Sequence, residues 1–332
     1  MPSFDEKALL EGTVYKKSNG LYAVHVPGSI LTCELSSKLH KDLVYSTADP
    51  ASQPRRVTAV REIQTVDPIA VGDQVRLIPP SGGNGLIVSV LPRRSKLSRP
   101  EASGGRHARE QIILSNLDQV VPVMALARPA PHWRLLDRYL VSAASLGLPA
   151  LIVLTKCDLP REDPATDGVL ADYSAIGYRV ILTSVQTGEG LDELCEALRG
   201  KVSALIGKSG VGKSSLLNAV QPGLGLRVKA VSDQTGKGRH TTTHLEMFPL
   251  EVGGAVADTP GTREFGLWQL DGSDVAQFFP EVAALASTCR FSPNCSHNRE
   301  PGCAVRRAVD AGRISRRRYE SMLRLSEQIG EG

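Results

Sequence analysis

The run Gly207-Lys208-Ser209-Gly210-Val211-Gly212-Lys213-Ser214 fits the phosphate-binding pattern G-x-x-x-x-G-K-[ST]. It follows an apolar segment of strand character, VSALI, and opens one of helical spacing, KSSLLNAV, which is the context the pattern requires. The glycines let backbone N–H groups turn inward around a polyphosphate, and a helix N-terminus adds partial positive charge. Lys213 is expected on the β- and γ-phosphates and the Ser214 hydroxyl on Mg²⁺, with Ser215 carrying the motif into the helix.

Two further segments suit a phosphate sensor. Asp258-Thr259-Pro260-Gly261 ends another apolar strand, GGAVA. A carboxylate there can hold Mg²⁺, usually through water, and the Gly261 N–H can meet the γ-phosphate. Between the two motifs lies Lys237-Gly238-Arg239-His240-Thr241-Thr242-Thr243. A threonine here, with Thr242 favoured, would ligate Mg²⁺ only while the γ-phosphate is present and so order the segment.

A base-recognition signal stands upstream. Thr155-Lys156-Cys157-Asp158 follows the strand-like ALIVL and resembles the [NT]-K-x-D guanine motif. Guanine offers N1–H and the exocyclic N2–H₂ side by side, and one carboxylate, Asp158, can accept both; adenine cannot match this. Lys156 can lay its methylenes against the ring. Thr155 stands where Asn is more usual and is expected to tie the loop less firmly. Thr183-Ser184 ends the strand-like YRVI, where GTPases commonly meet guanine O6 through backbone. The base motifs precede the phosphate motifs, which reverses the ordinary order. Two motifs at consecutive strand ends favour a circularly permuted domain, in the order G4-G5-G1-G2-G3. Its phosphate switch would then feed directly into the C-terminal segment.

Cys289-x5-Cys295-x-His297-x5-Cys303 places three thiolates and one imidazole within fifteen residues. Four soft ligands favour a structural, tetrahedral Zn²⁺ over a catalytic one, which would keep an open position. Cys33, Cys157 and Cys195 are scattered.

These motifs need rigid elements to position them. Residues 111–275 alternate apolar strands with amphipathic helices, the pattern of a doubly wound sheet with ligands at the strand C-ends. Residues 1–92 carry short apolar runs broken by turn signals, which suggests a small barrel. Residues 93–110 are basic and non-periodic and read as a mobile linker, and residues 276–332 as a helical, Arg-rich region around the cysteines. The net charge is only +4, but six basic residues face one acid between Arg93 and Arg109, and nine Arg face five acids from Cys289 onward. Such clusters can steer a protein to nucleic acid. No run approaches the ~18 apolar residues of a membrane helix, and MPSFDEKALLEG lacks a signal peptide's basic and apolar regions. A cytoplasmic monomer is expected.

Together these residues resemble the ribosome small-subunit-dependent GTPase A (RsgA) family. The resemblance runs through Leu91-Pro92-Arg93-Arg94-Ser95 with Arg99-Pro100, Asn116-Leu117-Asp118-Gln119-Val120, TKCD, GKSGVGKSS, GRHTTT, DTPGTREFGL and the Cys/Cys/His/Cys set. It implies an N-terminal OB-fold barrel, a permuted α/β P-loop GTPase domain and a C-terminal α-helical zinc domain. It also implies docking on the small ribosomal subunit and its rRNA late in maturation, with subunit-stimulated GTP hydrolysis linked to release. The spacing from Cys289 to Cys295 is one residue longer than the family's usual four. Thr262 follows DTPG where many GTPases carry a water-orienting Gln, so unaided turnover should be slow, about 10⁻⁴ to 10⁻² s⁻¹; His240 is the candidate to orient water. Two alternatives remain. A P-loop ATPase or small-molecule kinase is opposed by Asp158, and a non-catalytic rRNA-binding module with structural nucleotide would show no subunit-stimulated turnover.

Overall fold

A computed structural model of the chain describes residues 9–37, 39, 42–45, 57–61, 68–100, 110–226, 245–258 and 270–330. Strand β1 (Leu10–Ser18), β2 (Leu21–Val26) and β3 (Ser29–Leu35) form an antiparallel meander, with Val24 opposite Val14 and Leu31. In β2, Tyr22, Val24 and Val26 point inward and alternate with less buried neighbours, the period of two that a half-buried strand imposes. A hairpin, β4 (Asp42–Tyr45) with β5 (Val57–Arg61), follows. Strands β6 (Gln74–Ile78) and β7 (Gly85–Val90) then close the barrel. β7 runs parallel to β3, and β6 pairs with both β7 and β1. Val14, Val24, Cys33, Val75, Leu77 and Ile87 fill the interior, as expected of a small five-stranded barrel of the OB type.

The expected linker at 93–110 is in part ordered structure. β8 (Lys96–Pro100) pairs antiparallel with β9 (Glu110–Ser115); residues 101–109 lie outside the described residues. Arg93 is no free surface cation either. Its guanidinium donates to both carboxylate oxygens of the fully buried Asp73, at 2.6 Å each, and Asp73 also accepts from Ser115 Oγ and the Ala70 N–H. A charge can be buried this way because each lone pair it loses to water is met by a donor. Gly72 beside it has φ +91°, and a Cβ there would lie 2.2 Å from the Ser115 carbonyl oxygen. The compact unit holding the barrel comprises residues 1–117 and 240–248.

The second unit begins at Asp118. It contains β10 (Gln119–Ala125), α1 (Trp133–Ser145), β11 (Leu151–Thr155), α2 (Thr166–Ala175), β12 (Arg179–Leu182), α3 (Leu191–Leu198), β13 (Lys201–Ile206) and α4 (Lys213–Val220). Strand β14 (Glu246–Pro249) follows and pairs with β1 through Lys16 and Glu246, within the first unit. Strand β15 (Gly254–Asp258) completes a five-stranded parallel sheet in the order β12-β11-β10-β13-β15. Both β10 and β11 are buried along their whole length, as central parallel strands covered on two faces must be. The order reverses between β10 and β13, and ligands of such sheets bind outside the strand C-ends at that switch point.

Helices α5 (Pro280–Ala286), α6 (Ala304–Asp310) and α7 (Arg316–Gly330) belong to the same unit as the sheet. Their core of Phe279, Val282, Val305, Ala308 and Met322 includes Val141 from α1. No helix among the described residues is long and apolar enough to cross a membrane.

Candidate functional site

The phosphate loop leaves the C-end of β13 at the switch point. Gly207 lies so close to β10 that a Cβ would sit 2.4 Å from the Val123 carbonyl oxygen. Gly212, with φ +96°, caps the N-terminus of α4. Lys208 and Ser209 are exposed at the loop tip, whereas Lys213 is buried and its ammonium donates to the Gly207 carbonyl at 2.8 Å. Burial lowers the Lys213 pKa, and nearby Asp258 opposes the shift. Asp258 is raised by burial, against the charge of Lys213 and a contact from the Ser214 hydroxyl to Oδ2 at 3.4 Å. Its other oxygen, Oδ1, is buried with no hydrogen-bond partner among the described residues. An orphaned carboxylate oxygen beside a serine hydroxyl suits a hydrated hard cation such as Mg²⁺.

The base loop is built at the C-end of β11 and bolted to the phosphate loop. The Thr155 hydroxyl donates to the Val211 carbonyl at 2.5 Å, with Met124 O a second acceptor at 3.3 Å. The Thr155 side chain thus ties the base loop to the phosphate loop. Lys156, at φ +62°, donates to Gly210 O at 3.2 Å and to Arg128 O. Burial and the charge of Arg128 lower the Lys156 pKa. Cys157 donates its N–H to Thr183 O, and burial with the neighbouring Glu189 pushes its thiol up to about 11, so it stays neutral. Asp158 is exposed and its Oδ1 accepts from Ser184 Oγ at 2.6 Å, which fixes the carboxylate plane.

The loop after β12 spends most of its backbone donors internally. The Thr183 N–H is spent on Leu154 O and the Ser184 N–H on Glu189 O. The N–H groups of Gln186 and Thr187 turn back to Ser184 Oγ. Among the described residues the N–H groups of Val185 and Gly190 have no such partner, and the Val185 side chain is exposed. The strand-end position was legible in sequence, but the donor depends on how the loop folds back on Ser184. Arg128 was also missed; its contribution is a carbonyl, which no side-chain motif records.

Cys289, Cys295, His297 and Cys303 converge, all buried, with their ligand atoms within 4.8 Å of one another. Sγ of Cys289 lies 3.8 Å from Sγ of Cys303, and His297 Nδ1 is 3.6 Å from each. Zn–S bonds of about 2.3 Å and a Zn–N bond of about 2.0 Å give tetrahedral edges of this size. The sulfurs also accept backbone N–H groups, Ala304 on Cys289 and Arg306 on Cys303, and Tyr319 holds the His297 carbonyl at 2.7 Å. Such outer contacts orient the ligands. The longer Cys289–Cys295 spacing does not prevent convergence.

His240, Thr242 and Gly261 lie outside the described residues, as does the rest of the segment from 227 to 244 and from 259 to 269.

A phosphate loop after β13 and a guanine-type loop after β11, on the same edge of one parallel sheet and in reversed sequence order, define a circularly permuted P-loop GTPase. A family model described as RsgA GTPase matches residues 90–268. A curated relative from Gemmatimonas aurantiaca, named small ribosomal subunit biogenesis GTPase RsgA, is 49% identical over 79% of this chain and 84% of its own. One of the same name from Moorella thermoacetica is 39% identical over 96% and 97%. Among solved structures, YjeQ from Thermotoga maritima superposes with a TM-score of 0.72 at 30% identity, covering 97% of this chain and 98% of its own. YloQ, a circularly permuted GTPase, gives 0.69 at 27%, covering 100% and 98%. The chain belongs to the RsgA GTPase family.

Proposed function

We propose that this chain hydrolyses GTP during late maturation of the small ribosomal subunit, that the subunit stimulates hydrolysis, and that hydrolysis is coupled to release. The observation that carries the GTP assignment is the Asp158 carboxylate, held by Ser184 and tied through Thr155 to the loop that cradles phosphate. The relatives' names supply the ribosomal assignment.

In this reading Asp158 accepts guanine N1–H and N2–H₂, and the Val185 N–H donates to O6. Lys156 and Cys157 complete the base loop. Gly207, Lys208, Ser209, Gly210, Val211 and Gly212 surround the phosphates. Lys213 exchanges its bond to the Gly207 carbonyl for the β- and γ-phosphates, which restores a charge partner to a buried ammonium. Ser214, Asp258 and Thr242 hold Mg²⁺, which neutralises phosphate charge when bound. Gly261 reports the γ-phosphate, and His240 orients the attacking water once the subunit orders its loop. His240→Ala is expected to abolish subunit-stimulated turnover and to leave basal turnover and GDP affinity in place; full stimulated turnover would remove His240 from the mechanism. The four-ligand cluster holds one structural Zn²⁺. The domains act as a barrel, a permuted GTPase domain and a helical zinc domain, in a cytoplasmic monomer whose basic segments meet rRNA.

The test is GTP turnover with and without purified small subunits. Strong stimulation by subunits, and none by large subunits or free RNA, supports the reading. GTP binding without stimulation by small subunits would leave a GTPase with a different partner.

A further inference from the structure

Between the first two zinc-type ligands the chain exposes a large apolar side chain. Phe291 is 44% exposed, although it is flanked by a buried cysteine at 289 and another at 295. The Arg290 guanidinium carbon lies 5.6 Å from the centre of its ring. The stem of Arg290 is also supported from beneath. Gly302 has φ +76°, and a Cβ there would lie 3.5 Å from both Cβ and Cδ of Arg290. The backbone turns tightly at this point, with the Ser292 N–H donating to Cys289 O at 3.1 Å. Ring and guanidinium are therefore presented by a short loop with little freedom, pinned at both ends by the cluster.

The surroundings select a partner chemistry. Every residue from Arg290 to Arg299 except Cys295 and His297 is exposed, and the stretch contains Arg290, Arg299, Asn294 and Asn298 but no acid. The adjacent Glu300 carboxylate is occupied by the N–H groups of Ser296 and Arg299. A protein interface of ordinary stability needs about 1,000 Å² with a buried apolar centre, and one ring in a field of Arg and Asn does not provide it. An aromatic face beside a cation, with amide side chains at its rim, suits a flat heterocycle on a phosphodiester chain.

We propose that Arg290 and Phe291 form a stacking platform for an unpaired nucleobase of RNA, with Arg299 on the neighbouring phosphate. The inference rests on the ribosomal reading above and names the kind of RNA that reading leaves open: a single-stranded or bulged nucleotide. Stacking is largely insensitive to salt, whereas a phosphate contact is not.

The test uses the full-length, zinc-loaded protein and a short single-stranded RNA bearing one 2-aminopurine, titrated at several salt concentrations, with a matched duplex as control. The wild type is expected to quench the probe in the single strand and not in the duplex. Phe291→Ala should weaken single-strand binding by roughly ten-fold without changing the salt slope. Phe291→Trp should retain binding, and Arg299→Ala should lower the slope by about one. Zinc content and basal GTP turnover should be unchanged in all three. Equal affinity of wild type and Phe291→Ala for the strand, or no binding by wild type, would overturn the platform. Loss of subunit binding in Phe291→Ala with oligonucleotide binding intact would overturn it in favour of a protein contact. If small subunits neither bind nor stimulate the wild type, the ribosomal reading itself fails, which is a separate result.

Discussion

If the Asp158 carboxylate accepts guanine N1–H and N2–H₂ as proposed, its geometry makes the expected reversal specific. Asn in place of Asp158 keeps the Ser184 contact but turns one acceptor into an N–H donor. Guanine's N2–H₂ then faces a donor, while xanthine offers a carbonyl at the same place. Asp158→Asn is expected to shift preference from GTP to xanthosine triphosphate by at least about 100-fold, read from turnover with each nucleotide; unchanged GTP preference would move the base site elsewhere. Asp258 gives a pH prediction of definite sign. Burial raises its pKa, so as pH falls it takes up a proton earlier than an ordinary carboxylate. Its protonated form favours the metal-free fold at low pH, and that contribution is lost as pH rises through the raised pKa. Mg²⁺ needs the carboxylate, so Mg²⁺-dependent GTP affinity should fall on the acid side, above the pH range where an ordinary aspartate titrates. Asp258→Asn should weaken Mg²⁺ dependence and flatten that profile. A profile that is flat in the wild type would show that Asp258 does not serve the metal.

At the level of elements, α6 depends on the cluster for its start. Cys303 is its N-cap, and Sγ accepts the Arg306 N–H. Zinc of this kind contributes on the order of 10 kcal/mol to folding, as much as the whole net stability of a typical domain. Chelation, or Cys303→Ser, is therefore expected to melt α5 to α7 and lower their helical circular-dichroism signal, with the sheet still folded. Retained helicity at zero bound zinc would make the cluster a set of buried thiols. These elements also show what a sequence reveals. The phosphate loop, the all-apolar β10 and β11, and the cysteine spacing were legible because each is a local pattern set by one element's geometry. The pairing of β8 with β9 was not, because β8 reads as a basic, Pro-ended stretch whose partner strand lies beyond residues 101–109. Arg93 failed for the same reason: its type suggests a solvated cation, and its buried partner, Asp73, stands twenty residues back.

Over the length of the chain, arginines of α7 join the helical segment to α1 and α2. Arg316, Arg317 and Arg318 belong to the basic cluster counted above, yet Arg318 is 1% exposed. It donates to Asp137 of α1 at 2.6 Å, separated by 181 positions in the chain, and to both oxygens of Glu281 before α7. Arg317 donates to the same Asp137 and to the hydroxyl of Tyr173 on α2, while both guanidinium groups stand over the Tyr173 ring. Burial, and then Asp137, push the Tyr173 hydroxyl well above its ordinary pKa, so it remains a donor to Asp137. Such a network adds little over an apolar core, but removing one member strands the others. Arg318→Ala is expected to cost about 3–5 kcal/mol, because it strands the buried Glu281 and leaves Asp137 only the partly exposed Arg317 as a charge partner. Arg317→Ala should cost about 1 kcal/mol, since Arg317 is partly exposed and Arg318 still pairs Asp137. The loss should be local. Hydrogen exchange of α7 amides should accelerate in Arg318→Ala while β10 keeps its protection, because α1 still has its apolar contacts with the sheet. Equal acceleration in α7 and β10 would mean that helical segment and sheet open as one body, and no acceleration would mean that the shared core around Val141 alone holds them. Acceleration confined to α7 would make the C-terminal helices a unit that opens separately from the sheet.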